Sequence, residues 1–182
     1  MYFNSENKPF LILLAGLPGV GKSEVSRELS LMLKFCLLDK DDILNILNKS
    51  PTINKDSRGH IAYDILFSLV EKQLSIQASI IVDTPLTFNW LRNRLLALAD
   101  NYNAIPIVVL CKCPSEVARQ RIINRQASDR NLYADRTWEE HKRIERLFEP
   151  IDDSVDTITL DTQISPRKNA EKIIKMLRKL NL

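Results

Sequence analysis

Glycine is scarce in this chain: there are 4 in 182 residues, where average usage of about 7% would give roughly 13. That figure alone excludes flexible glycine linkers and low-complexity glycine repeats. Cysteine is equally sparse. Cys36, Cys111 and Cys113 are the 3 present, an odd number that closes no disulfide framework, and the C-x-C at 111–113 has no second Cys or His cluster to complete a metal site. The 2 histidines, His60 and His141, stand in no partner pattern. Aromatic residues reach only 7% and the formal net charge is +3, so the chain lacks a broad basic face interleaved with aromatics for nucleic acid. Long hydrophobic runs are also missing. The longest uncharged apolar stretch, Pro9 to Val20, holds two glycines and two prolines and falls short of the roughly 20 residues that span a bilayer. It runs on into Gly21, Lys22 and Ser23 with no small-residue cleavage site, which tells against a signal peptide. No membrane partner is expected, and the chain is read as cytoplasmic.

What is present is an ordinary globular balance, 45% hydrophobic and 27% charged, enough to bury a core without metal or disulfide staples. The length fits one domain over 1–182. Residues 9–15 form a continuous apolar run of strand length, whose lack of alternation predicts burial on both faces. Val25, Leu29, Met32 and Leu33 recur at helical spacing over 22–34. A short strand is predicted at 35–38, an acidic turn at 39–42, a short helix at 43–47, and a polar loop through Ser57. Further patterns predict helices over about 58–76 and around Leu91, Leu95 and Leu98, with a strand at 79–83 between them. A strand at 105–111, a helix around Val117 and Ile122, a charged helix at 137–148, a strand at 157–160 and a closing helix at 166–180 complete the pattern. Five strands alternating with helices specify an α/β, doubly wound parallel sheet with helices on both faces. Ligands of such sheets sit outside the carboxyl ends of the strands.

Three of the four glycines fall within six residues, at 16, 19 and 21. A chain that otherwise avoids glycine needs unusual backbone geometry at that one place. Gly16-Leu-Pro-Gly-Val-Gly-Lys22-Ser23 matches the phosphate-loop pattern G-x-x-x-x-G-K-[ST], between a buried strand and an amphipathic helix. The expected nucleotide cradle comprises Gly16, Pro18, Gly19, Val20, Gly21, Lys22, Ser23 and Glu24. Its backbone N–H groups and the positive end of the following helix suit phosphate oxygens. Lys22 supplies a mobile charge for the β and γ phosphates and Ser23 a hydroxyl for Mg²⁺. Asp83, closing the strand at 79–83, is the expected second metal residue. ATP and Mg²⁺ are thus the implied cofactors. With only Gly59 left outside the loop, no glycine-rich transporter signature exists. Asp56-Ser-Arg-Gly59 fits D-x-x-G, but it follows a polar loop and no N-K-x-D succeeds it, which tells against a GTPase.

These motifs, together with Leu37-Leu-Asp-Lys-Asp41-Asp-Ile43, Asp83-Thr84 and Cys113-Pro-Ser-Glu-Val-Ala-Arg-Gln-Arg121-Ile-Ile-Asn-Arg125, make the chain resemble the small P-loop kinases of the AAA_33 type. That group is similar to zeta toxin, chloramphenicol phosphotransferase and polynucleotide kinase domains. The resemblance runs from Pro9 to about Ile151 and more loosely to the end. It implies a P-loop NTPase fold, five strands in the order 2-3-1-4-5, with an arginine-bearing lid at about 126–137. It also implies that the carboxylate accepting the proton of the attacking hydroxyl is Asp41. On the residues alone, Asp39 and Asp42 compete for that role, and an acidic turn also suits helix capping. Leu44 stands where many relatives carry an arginine, a departure that tells against a polynucleotide or phosphorylated acceptor.

Seven of the 13 arginines lie between 119 and 146. Arg121 and Arg125, four apart, share a helix face and are the arginines expected to serve catalysis and hold the nucleotide. Arg130 and Arg136 are placed to reach the γ phosphate, and Arg143 and Arg146 are expected on a solvated face paired with glutamates. The expected activity is ATP- and Mg²⁺-dependent phosphoryl transfer by Lys22, Asp41, Arg121 and Arg125 to a hydroxyl of a small molecule, whose pocket is sought between Lys49 and Gln77 with Arg58, His60 and Tyr63. The alternatives are a nucleotide-dependent switch module, and a kinase acting on a nucleic-acid or nucleotide-sugar hydroxyl.

Overall fold

The computed structural model describes residues 8–128, 137–152 and 155–180. The chain runs β1 (Phe10–Ala15), α1 (Lys22–Leu33), β2 (Cys36–Asp39), α2 (Lys40–Asn48), α3 (Lys55–Ser75), β3 (Ile80–Asp83), α4 (Asn89–Asn101), β4 (Ile105–Lys112), α5 (Ser115–Ser128), α6 (Trp138–Leu147), β5 (Thr157–Asp161) and α7 (Pro166–Leu180). The sheet has the order β2-β3-β1-β4-β5, and every pairing is parallel.

β1 is buried along its whole length, which accounts for its unbroken apolar run. Phe10, Ile12 and Leu14 pack with residues of α1 and α7 on one face, while Leu11, Leu13 and Ala15 pack with residues of α3 and α4 on the other. Burying each such leucine is worth about 2 kcal/mol, so the central strand is rigidly held. Its carboxyl end delivers the phosphate loop. The register sets Leu14 of β1 and Asp39 of β2 against Asp83 of β3 on either side, bringing two carboxylates beside that loop.

The predicted acidic turn does not exist. β2 continues to Asp39 and α2 starts at Lys40, because the Asp39 carboxylate accepts the Asp41 backbone N–H at 2.8 Å and caps the helix. α3 likewise begins at Lys55, capped by Asn54, whose Oδ1 accepts from the Asp56 N–H at 3.0 Å. This places Asp56-Ser-Arg-Gly59 in a helical turn, where it forms no switch loop. Economy with glycine also reaches the helix ends. Lys34, Gln77 and Asn103 adopt left-handed φ values of 61°, 57° and 54°, positions where glycine is the usual choice. Three of the four glycines are instead in the phosphate loop.

Candidate active site

The loop's geometry explains those glycines. Gly16 has φ +133°, and a Cβ there would sit 2.5 Å from the Cys111 carbonyl oxygen; Gly19 has φ +81°, and its Cβ would lie 2.7 Å from Ile122 Cγ1. β4 and α5 therefore press directly on the loop. Gly21 caps α1, also at positive φ. Lys22 is buried, and its ammonium folds across the loop to donate to the carbonyls of Gly16 (3.0 Å) and Leu17 (3.1 Å). A cation is thus held where α1 points its positive dipole end.

Beneath the loop lies a surplus of negative charge. Asp83 is buried and its Oδ2 accepts from the Ser26 hydroxyl at 3.1 Å, so Ser26, one turn beyond Ser23, orients this carboxylate. Burial, reinforced by the charges of Asp83, Asp41 and Asp42, pushes the Asp39 carboxyl up to about 7, against the pull of its capping bond. Two carboxylates in adjacent strand registers, one of them strongly disfavoured as an anion, form a set of hard oxygen donors that suits Mg²⁺. Ser23 and Asp83 line the same cavity, so the two residues expected to serve the metal are brought together, with Asp39 beside them.

That cavity, about 560 Å³, is lined by Lys22, Ser23 and Asp83 and also by Lys40, Asp41, Asn45, Lys49 and Tyr63, with Arg125 and Arg143 on its wall. Of the three competing aspartates, Asp41 lines it, Asp39 caps α2 and is not part of its lining, and Asp42 is exposed. Lys40 Nζ lies 3.6 Å from Asp41 Oδ1 and 5.4 Å from the centre of the Tyr63 ring. Tyr63 reaches the cavity as expected, and burial raises its phenol. Arg58 does not line it. Its guanidinium donates to the carbonyls of Asn48, Ser50 and Ile53 and holds the α2–α3 connection in place. His60 is exposed on α3. The buried side-chain atoms left without a hydrogen bond among the described residues are Glu24 Oε2 and Thr84 Oγ1. Both flank the loop, and the Thr84 side chain also meets the Tyr63 phenol, partly offsetting the effect of that phenol's burial.

The arginines separate by partner. Arg125 pairs with Glu24 through Nη2 and lines the cavity. Burial alone would raise the Glu24 carboxyl, but the charges of Arg125 and Arg121 and the bonds made to it outweigh this and hold it below the ordinary range. Arg121 is aimed elsewhere: it donates to the Val20 carbonyl (2.8 Å) and to Thr162 O (2.7 Å), bracing the loop against the end of β5. Arg130 and Arg136 lie outside the described residues, as does most of the segment 126–137. Arg143 forms the expected pair with Glu140, two bonds of 2.7 Å each, but both residues line the cavity, so this face of α6 is not simply solvated. His141, also unsuspected from the sequence, is buried with Nδ1 2.7 Å from the Pro18 carbonyl oxygen. A lone histidine in a charged helix gives no sequence signal for such a contact.

Strand order, loop and flanking carboxylates together define a P-loop NTPase fold of the small-kinase kind. The chain belongs to the AAA_33 family, whose model, described as an AAA domain, matches residues 11–151. Solved structures share the fold at low identity. A candidate kinase from Chloroflexus aurantiacus j-10-fl is 21% identical over 95% of this chain and 98% of that chain, with a TM-score of 0.76. Kti12 from Chaetomium thermophilum, solved with ADP-AlF3, is 18% identical over 91% and 97%, with a TM-score of 0.70. The APS kinase CysC from Mycobacterium tuberculosis, solved with AMPPNP and APS, is 18% identical over 94% and 99%, with a TM-score of 0.61. No curated protein matches the sequence significantly. Among the described residues, no helix is long and apolar enough to cross a membrane.

Proposed function

We propose that the chain, as a single P-loop kinase-like domain, is an ATP- and Mg²⁺-dependent phosphotransferase acting on a hydroxyl of a small molecule. The observation that carries this reading is one cavity holding both Lys22 and Asp41. Its volume of about 560 Å³ is within the range for small-molecule sites, roughly 300 to 1,000 Å³. The loop between Gly16 and Glu24 binds the nucleotide's phosphates through its backbone N–H groups, apart from Gly16, whose N–H donates to the Pro85 carbonyl, and Pro18, which has none, and Lys22 leaves its two carbonyls to meet them. The acceptor enters beside Lys40, Asn45 and Tyr63. Its hydroxyl oxygen attacks the γ phosphorus as the bond to the β-bridging oxygen breaks, ADP leaves, and the hydroxyl proton passes to Asp41. Arg125 and Arg143 face the charge that develops on the transferring group, and Arg121 supports the nucleotide side by bracing Val20. When bound at Ser23 and Asp83, Mg²⁺ neutralises phosphate charge.

The test is a panel of hydroxyl compounds screened for acceptor-stimulated ADP release, followed by Asp41→Asn with the best of them. Asparagine keeps the size of the side chain but cannot take the proton, so transfer should fall by about 10² to 10⁴ while ATP affinity stays within a few fold. Transfer at the wild-type rate would show that Asp41 is not the base.

A further inference from the structure

His141 has no part in the chemistry above, yet it is one of the few buried polar side chains of the described residues, 2% exposed. Its Nδ1 reaches the Pro18 carbonyl oxygen at 2.7 Å across 123 positions of sequence. A carbonyl only accepts, so Nδ1 carries the proton of this bond. The imidazole also stacks on Trp138, with ring centres 4.4 Å apart and planes 19° from parallel. Lys142 and Arg119 lie over the faces of the same indole, at 5.1 and 6.0 Å. Next to His141 on α6, Glu140 and Arg143 enter the cavity, and the buried Ile144 anchors the helix.

The bonded carbonyl belongs to the peptide between Pro18 and Gly19. In a trans peptide the C=O and N–H point in opposite directions, so a donor that holds this carbonyl toward α6 holds the Gly19 N–H away from it. Gly19, at φ +81°, is the kind of residue around which a peptide plane turns freely, and His141 removes that freedom.

We propose that His141 is a positioning residue: it fixes the Pro18–Gly19 peptide of the phosphate loop and at the same time docks α6, so that occupancy of the loop is felt at Trp138 and in the placement of Arg143. This rests on the loop being a nucleotide site, and the experiment separates the two ideas. The chain has 2 tryptophans, so Trp90→Phe leaves Trp138 as the sole indole reporter. In that background Mg-ADP is titrated by calorimetry and by Trp138 emission, alone and with His141→Leu or His141→Asn added. Asparagine places an amide donor the same number of bonds from Cβ as Nδ1; leucine fills space without a donor.

The expected result is an emission change in the Trp90→Phe protein that tracks calorimetric binding. With His141→Leu, affinity falls by about tenfold, the worth of one buried hydrogen bond, and the emission response is lost; His141→Asn restores most of both. If Mg-ADP binds but Trp138 does not respond, or responds equally in the leucine variant, the coupling is overturned and the nucleotide reading stands. If Mg-ADP does not bind the Trp90→Phe protein or the native chain, both are overturned. Should the leucine variant fail to fold, the asparagine variant decides: a native affinity and response support the positioning role, and their loss overturns it.

Discussion

Asp39 offers the sharpest test of the charge arrangement beneath the loop, because its substitution by asparagine changes charge and little else. The asparagine side chain would keep an oxygen to accept the Asp41 N–H, the 2.8 Å bond that caps α2. In the folded chain burial and three neighbouring aspartates raise the Asp39 carboxyl from 3.8 to about 7. A raised carboxyl binds its proton more tightly when folded than when unfolded. Its contribution to stability is therefore fully present below about pH 4 and is lost as the pH climbs through about 7. The interval is about 3 units, which at ~1.36 kcal/mol per unit sets a ceiling near 4 kcal/mol. Asp83, set against Asp39 by the β2–β3 register, is the largest of the charges that raise it.

Urea unfolding of the metal-free protein at pH 4, 6 and 8 reads this directly. Wild type and Asp39→Asn should be close in stability at pH 4, and the variant should be more stable by a few kcal/mol at pH 8. Adding Mg²⁺ at pH 8 should narrow the gap, since a cation beside the pair stabilises the ionised wild-type carboxyls and binds the variant less well. Parallel pH profiles for the two proteins would refute the claim that Asp39 is held out of its charged form. A gap at pH 8 that Mg²⁺ leaves untouched would refute the metal fit while keeping the electrostatics.

Lys22→Ala should weaken Mg-ATP binding by at least tenfold, measured by calorimetry, with far-UV circular dichroism unchanged; unaltered affinity would remove the phosphate-loop reading. Arg125→Ala should slow single-turnover transfer by about 10- to 100-fold, and because it also frees Glu24, the Glu24→Gln plus Arg125→Ala double variant should show a non-additive effect. Gly16→Ala should cost about 1 to 3 kcal/mol in urea unfolding, since its methyl group would lie 2.5 Å from a backbone carbonyl of β4; stability equal to wild type would show that the loop relaxes easily.

Much of the frame was legible in the sequence because its signals are local. An unbroken apolar run can be satisfied only by a strand covered on both faces, and β1 is such a strand. Glycines that a chain otherwise avoids mark a backbone that tolerates no Cβ, and Gly16 and Gly19 meet atoms within 3 Å where one would stand. The strand order came from the family resemblance, and the pairings agree with it. Burial and charge across the fold were not legible, because they depend on which elements meet. Three aspartates in four positions look equivalent along the chain. Only the β2–β3 register sets one of them against Asp83, lets it cap a helix, and leaves Asp41 to face the cavity. The arginines likewise differ by what packs against them: a carbonyl of the loop for Arg121, Glu24 for Arg125, the cavity for Arg143. A histidine in a run of charges becomes a buried hydrogen-bond donor only because α6 folds back over a peptide 123 residues away, a distance that no local pattern of residues can carry.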